Sequence, residues 1–212
     1  HLIMNDTIVR PGGDAAVVRV RDTNKGLAMS VDCTPRYCVA HPETGGAQAV
    51  AEAWRNLTAS GATPLALTNN MNFGNPERPR IMGQFIGCIA GMRKAAKVLD
   101  FPVVSGNVSL YNETDGEAIL PTPVIGGVGV MADVSKHATV AFKKAGEAIV
   151  LVGETTGWLG QSIYLREIER REEGAPPPVD LDVEKANGDF TRGLIEQNLV
   201  SACHDLSDGG IA

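Results

Sequence analysis

The sequence predicts an α+β fold. Three observations carry that expectation: short apolar runs joined by hairpin turns, two long segments of helical period, and glycines scattered singly and in pairs between them. A doubly wound sheet would alternate strand and helix throughout, without hairpins.

The elements follow in order. Ala15–Val20 and Leu27–Cys33 are apolar runs flanking Asp22-Thr23-Asn24-Lys25-Gly26, a hairpin signal. Thr44 is placed to cap a helix through Ala59, with Ala47, Val50, Trp54 and Leu57 on one face and Gly61 past its end. Leu65–Thr68 reads as a strand. Pro79 opens a second helix with Met82, Phe85, Ile86, Ile89, Met92 and Ala96 on one apolar face. Val103–Ser105 is a short strand, Asp115-Gly116 is a turn between Val108–Tyr111 and Glu117–Leu120, and Val124–Met131 is a glycine-rich strand. A charged stretch over Ala132–Gly146 marks a boundary. Beyond it come a strand at Ala148–Val152, a glycine loop at Gly153–Gly160, a helix to about Arg170, an exposed loop at Arg171–Pro178, and a helix carrying Val183, Ala186, Phe190, Leu194 and Leu199.

Composition narrows the function. The 212 residues include 24 Gly and 12 Pro, with 43% apolar content and a net charge of −6. An acidic chain lacks the basic face of a general nucleic-acid binder. The apolar runs Phe85–Met92 and Val124–Ala132 fall far short of the ~20 residues of a membrane helix, and no signal peptide is visible. Cys33, Cys38, Cys88 and Cys203 form no Cys-x-x-Cys pair, so reduced thiols and a cytoplasmic location are expected. The chain opens on His1 and closes on Ser207-Asp208-Gly209-Gly210-Ile211-Ala212, which reads as a turn opening a helix, so a piece of a longer protein is expected.

Five motifs carry candidate chemistry. Ser105-Gly106-Asn107-Val108-Ser109 follows a buried-looking strand; Gly106 permits close backbone approach, and Asn107 and Ser109 offer neutral oxygens of the kind that hold Mg²⁺ beside phosphates, or simply a strand-end turn. Thr68–Pro76 crowds asparagines at positions 69, 70, 72 and 75, as a ligand-facing loop or as turn chemistry. Asp32, at a strand tip, can meet a metal or a ribose, or cap a turn. Gly153–Gly160 leads into a helix, but without the Gly-Lys-Ser/Thr ending of a P-loop. His204-Asp205-Leu206-Ser207-Asp208-Gly209-Gly210 holds carboxylates that can bind metal or phosphate, or cap a helix.

Together, Pro11–Ala16, Leu67–Pro76, Ser105–Glu113, Pro123–Val130 and His204–Gly210 resemble the phosphoribosylformylglycinamidine synthase family. The match is to the second half of the large synthetase subunit of the three-component form. The last motif is shared across the aminoimidazole ribonucleotide synthetase superfamily. The resemblance implies an aminoimidazole ribonucleotide synthetase-like N-terminal domain at 1–140, then a truncated α/β C-terminal domain at 146–212. In that family the repeated N-terminal domains pair their sheets in a barrel-like interface, so this piece is expected to self-associate as a homodimer.

The implied reaction joins formylglycinamide ribonucleotide, ATP and glutamine-derived ammonia, with Mg²⁺, to give formylglycinamidine ribonucleotide. The implied partners are the first half of the same subunit, a glutaminase subunit and a small bridging subunit. Carried over position by position, Asn69 and Gly106 match nucleotide contacts, Asn107 a Mg²⁺ ligand, and Ser109 a substrate contact. Asn69 stands where many relatives carry Asp. Asn56 stands where the first half carries a metal-binding Asp, which fits a weakened metal role. The family's catalytic histidines, ATP-contacting Lys and main Mg²⁺ carboxylates belong to the first half, so this chain alone is expected to be inactive. The competing readings are a stand-alone synthetase of the same superfamily and a non-catalytic half that pairs domains and docks subunits.

Overall fold

The computed structural model describes residues 5–207 together with Gly210 and Ile211. Expectations that fall on His1, Asp208, Gly209 and Ala212 lie outside the described residues. The chain order is β1 (Thr7–Val9), β2 (Ala16–Arg19), β3 (Gly26–Asp32), α1 (Pro35–Ala40), α2 (Pro42–Ala59), β4 (Thr63–Asn72) and α3 (Pro79–Val98). There follow β5 (Val103–Ser109), β6 (Glu113–Thr114), β7 (Glu117–Ala118), β8 (Thr122–Met131), a 3-10 turn (Val134–Lys136), α4 (Ile163–Glu167) and α5 (Leu181–Glu196).

Six strands form one sheet in the order β1-β2-β3-β8-β4-β5. The expected hairpin is β2–β3, antiparallel, with Ala16 opposite Met29. Every pair is antiparallel except β4–β5, the edge pair, which runs parallel. β6 and β7 form a separate hairpin whose turn residues, Asp115 and Gly116, both have positive φ (52° and 82°), as the expected Asp-Gly turn requires.

α2 and α3 cover one face. Val17, Ala28, Leu67, Met71 and Ile125 point into them and meet Val50, Trp54, Leu57 and Phe101 in one buried core. Phe73 and Phe85 pack edge to face at 5.1 Å, which ties the end of β4 to α3. The helices approach closely through Gly91: a Cβ there would sit 2.8 Å from Ala47 N and closer still to the Glu43 carbonyl oxygen. The opposite sheet face is open. Met29 and Val128 are direct partners across β3–β8 and both are exposed, and Val31, one pleat further, is 72% exposed.

The structure corrects several expectations. α2 starts at Pro42, and its cap is His41, whose Nδ1 accepts the Thr44 backbone N–H at 3.2 Å. Met82, Ile86 and Ile89 are exposed, because α3 turns Ile81, Gln84, Cys88, Gly91, Met92 and Ala95 toward its neighbours. The small residues decide this rotation, since contact with the α2 backbone leaves no room for branched side chains there. Ser105–Ser109 and Thr68–Asn72 lie within β5 and β4 and are not loops. Ala148–Val152 is not a strand: no neighbour among the described residues offers it a ladder, and Ile149 and Val150 remain exposed. The helix expected to reach Arg170 is only Ile163–Glu167.

Candidate functional site

The parallel β4–β5 pair sets the four carried-over residues on neighbouring strands, with Asn69 and Gly106 toward one face and Asn107 toward the other. Asn69 lies opposite Gly106, Asn70 opposite Asn107, and Asn72 opposite Ser109. Alternation along the strands puts Leu67, Asn69 and Met71 on the helix side, and Thr68, Asn70 and Asn72 on the open side. The Asn69 carboxamide covers Gly106. A Cβ at 106 would sit 3.2 Å from Asn69 Cγ and closer still to Oδ1, so a side chain here would displace the Asn69 carboxamide. On the open side, Asn107 Nδ2 donates to Asn70 Oδ1 at 3.0 Å.

The strand ends are pinned by amides. Asn72 Nδ2 donates to Asn70 O at 3.0 Å and to Thr122 O at 3.2 Å, which spans β4 and β8. Asn112 Nδ2 donates to Phe73 O and Ser109 O, and Ser109 Oγ donates to Asn112 Oδ1 at 3.2 Å. The result is a corner of neutral donors and acceptors on an edge strand, beside the apolar open face. Hollows of about 350 Å³ and 270 Å³ lie elsewhere, against Asp133–His137 and against Arg78–Gln84. Asn70 and Asn107 are exposed, so the corner is an open surface.

A second polar cluster joins the sheet to the C-terminal residues. Arg55 on α2 donates to both Glu184 oxygens of α5 (Nε–Oε1 2.7 Å, Nη2–Oε2 3.1 Å) and to Glu52, and stands 3.9 Å from Asp205 Oδ2. Asn56 Nδ2 donates to both Asp32 oxygens at 3.2 and 3.1 Å. His204 Nδ1 meets Asp14 Oδ1 at 2.6 Å. Asp14, His204 and Asp205 each offer a ligand atom within 4.8 Å of the others, an arrangement able to surround a cation.

Burial governs the protonation of this cluster. It pushes the Glu52 carboxyl up to about 8, against the opposing pull of Arg55 and with the help of Asp205. Asp205 Oδ2 is buried without a hydrogen-bond partner, and a proton held on Glu52 gives Asp205 a donor. Burial also raises Asp32, opposed by the Asn56 amide, and raises Asp14, with Asp205 adding to it. Burial alone would lower the Arg55 guanidinium, but Glu184 and Glu52 outweigh it and hold it charged.

Sequence reasoning named Asp32, Asn56 and His204–Gly210 separately, and missed that Arg55 and Glu184 join them. It also missed the pairing role of Asn70 and Asn112. The crowding of asparagines at 69–75 was the available signal, but only the strand register says which side chain faces which.

A six-stranded sheet backed by helices, with a polar corner at its edge, defines a class. The family model for AIR synthase related protein, N-terminal domain, matches residues 12–131, and the model for the C-terminal domain matches residues 144–212. The chain belongs to the AIR synthase related family.

Particular relatives follow. The chain is 68% identical over 211 residues to phosphoribosylformylglycinamidine synthase subunit PurL of Bradyrhizobium diazoefficiens; the match covers 100% of this chain and 29% of that protein. Among solved structures it is similar to T. maritima PurL complexed with FGAR (TM-score 0.66, 25% identity, 93% of this chain and 28% of that one). It is also similar to T. maritima PurL complexed with ATP (TM-score 0.58, 34% identity, 63% and 22%). The chain thus spans under a third of the length of the curated relatives it matches.

Proposed function

We propose that the chain is a segment of the synthetase subunit of phosphoribosylformylglycinamidine synthase, with an N-terminal-like unit at 1–140 and the beginning of a C-terminal-like unit at 146–212. In this reading the β4–β5 corner holds nucleotide, metal and substrate. The observation that carries it is the placement of Asn69, Gly106, Asn107 and Ser109 along one parallel strand pair, Asn69 and Gly106 toward the helix side and Asn107 on the open side. The solved relatives complexed with ATP and with FGAR support it.

The chemistry follows from the donors. Formylglycinamide ribonucleotide presents an amide oxygen to the γ-phosphorus of ATP; the P–O bond to ADP breaks, and the activated carbon takes ammonia. Phosphate then leaves with the original amide oxygen, and a proton is released. Most of the catalytic work is to align these groups and to neutralise phosphoryl charge. Asn69, its carboxamide lying over Gly106, is the nucleotide contact in this reading. Ser109, held by Asn112, presents its hydroxyl to the substrate.

Mg²⁺ fits this corner. It takes few protein ligands beside phosphates, and Asn107 has its amide nitrogen engaged, which leaves its carbonyl oxygen as the ligand end. When bound, the ion would supply positive charge to the phosphates. The partners in this reading are the remainder of the same subunit, a glutaminase subunit and a small bridging subunit, in the cytoplasm. No helix among the described residues is long and apolar enough to cross a membrane.

The test is a chimaera. This chain replaces the corresponding segment of the Bradyrhizobium PurL subunit, and formylglycinamidine ribonucleotide formation is assayed with ammonium as nitrogen donor. The expected result is activity within about tenfold of the parent, and a loss of a hundredfold or more with Asn107→Ala. An active chimaera unchanged by Asn107→Ala would favour the non-catalytic, domain-pairing reading.

A further inference from the structure

We propose that Asn70 is a positioning residue for Asn107: its side-chain carbonyl takes the Asn107 amide N–H and turns the Asn107 carbonyl oxygen outward as a ligand. The proposal rests on the reading above for the identity of that ligand, and goes beyond it in giving a role to a residue to which the resemblance assigns none.

A carboxamide has a donor end and an acceptor end, and rotation about its last bond exchanges them. An exposed Asn would sample both and present its oxygen to a cation only part of the time. Asn107 is not free to do so. It lies directly opposite Asn70 in the β4–β5 register, on the same open face, and its Nδ2 is 3.0 Å from Asn70 Oδ1. With the nitrogen engaged, the oxygen is the unengaged end.

Asn70 is itself held. Its backbone carbonyl accepts from Asn72 Nδ2, which also reaches Thr122 O on β8, so the end of β4 is fixed against the strand on its far side. Asn107 has no such second neighbour, because β5 is the edge of the sheet. The Asn70 backbone is therefore held between two strands, whereas Asn107 stands on an edge strand. Ser109, two residues on, is oriented in the same way by Asn112. The corner thus sets each candidate ligand with a neighbouring amide.

The plain structural alternative is that the pair only ties down an edge strand. The two readings separate on metal dependence. A fixed carboxamide matters to the cation it faces, whereas a strand tie matters equally with or without metal.

The experiment uses the full chain and measures binding of AMPPCP by calorimetry at a series of Mg²⁺ concentrations. Asn70→Ala is expected to raise the Mg²⁺ needed for half-saturation by about tenfold, with nucleotide affinity at saturating Mg²⁺ within twofold of wild type. Asn70→Asp keeps an acceptor in the same place and is expected to restore the Mg²⁺ requirement to wild type or below. Asn107→Ala is expected to weaken binding at every Mg²⁺ concentration.

If Asn107→Ala weakens binding but Asn70→Ala leaves the Mg²⁺ requirement unchanged, the proposal is overturned and the nucleotide reading stands. If Asn70→Asp behaves as Asn70→Ala does, acceptance by residue 70 is not the cause and the proposal is overturned. Should wild type bind no nucleotide, or Asn107→Ala bind as wild type does, the nucleotide reading fails and the proposal with it. A ligand-free readout decides the hydrogen bond itself. The Asn107 side-chain amide protons are expected to exchange with water more slowly in wild type than in Asn70→Ala, and equal rates would overturn the pairing.

Discussion

Replacing Arg55 by Met tests the junction between α2 and the C-terminal residues. The guanidinium side chain is 23% exposed and bonds Glu184 (18%) and Glu52 (23%), with Asp205 (2%) beside it. Methionine fills much of the volume but supplies no charge. Glu184 and Asp205, partly and fully buried, then lose their shared cation. Breaking such a pair from one side costs about 3–5 kcal/mol, because the remaining charge is left uncompensated. Glu52 already holds its proton up to about 8, so it adds little to that repulsion near neutrality. This places the expectation nearer the lower figure.

The assay is urea unfolding at pH 7. With a slope of about 2–3 kcal/mol/M, a loss of about 3 kcal/mol moves the midpoint down by about 1–1.5 M. The second variant, Arg55→Met with Glu184→Leu, removes both ends of the bidentate bond and is expected to recover at least about 1 kcal/mol relative to Arg55→Met alone. A midpoint shift under about 0.3 M, or strictly additive changes in the double variant, would refute the reasoning, since either outcome means that Arg55 does not compensate these carboxylates.

Four further outcomes are expected. Glu52 has its folded pKa raised from 4.5 to about 8, so between those values the folded chain keeps a proton that the unfolded chain has released; stability therefore falls as pH rises through this window and levels off above it. Glu52→Gln should flatten that dependence, as measured by thermal unfolding from pH 5 to 8.5, and an unchanged slope would contradict the assignment. Gly91→Val should separate α2 from α3 and cost about 3 kcal/mol or more in urea unfolding, since the added atoms meet the α2 backbone and not a movable side chain. The open face carrying Met29, Val31 and Val128 should drive self-association seen by light scattering, abolished by Val31→Lys; a wild-type monomer at high concentration would count against it. The purified chain, supplied with formylglycinamide ribonucleotide, ATP and ammonium, should give no turnover, and measurable product would sink the segment reading.

Much of the N-terminal half was legible because its signals are local. The period of Ala47, Val50, Trp54 and Leu57 marks a helix whatever surrounds it, and Asp115-Gly116 can only serve a turn with two positive φ values. The strand ends misled for a physical reason. Asn, Gly and Ser are turn formers by propensity, yet Asn69–Asn72 and Gly106–Ser109 lie in strands because each pairs with the other. Ala148–Val152 misled in the opposite sense, since a β-prone run forms no strand without a neighbour. The candidate site divides in the same way. Asn69, Gly106, Asn107 and Ser109 were named from motifs, but their adjacency and the Asn70 contact depend on register. The Arg55 junction joins Glu52, one helical turn away, to Glu184 and Asp205, which lie too far off in sequence for any spacing rule to connect.

The β4–β5 corner is proposed to hold a Mg²⁺–nucleotide complex. Calorimetric titration of Mg-ATP into the wild-type chain and into Asn107→Ala tests it most directly. One site is expected in the wild-type chain, with a loss of affinity of at least tenfold in the variant. Equal binding by both, or none by the wild-type chain, would contradict it.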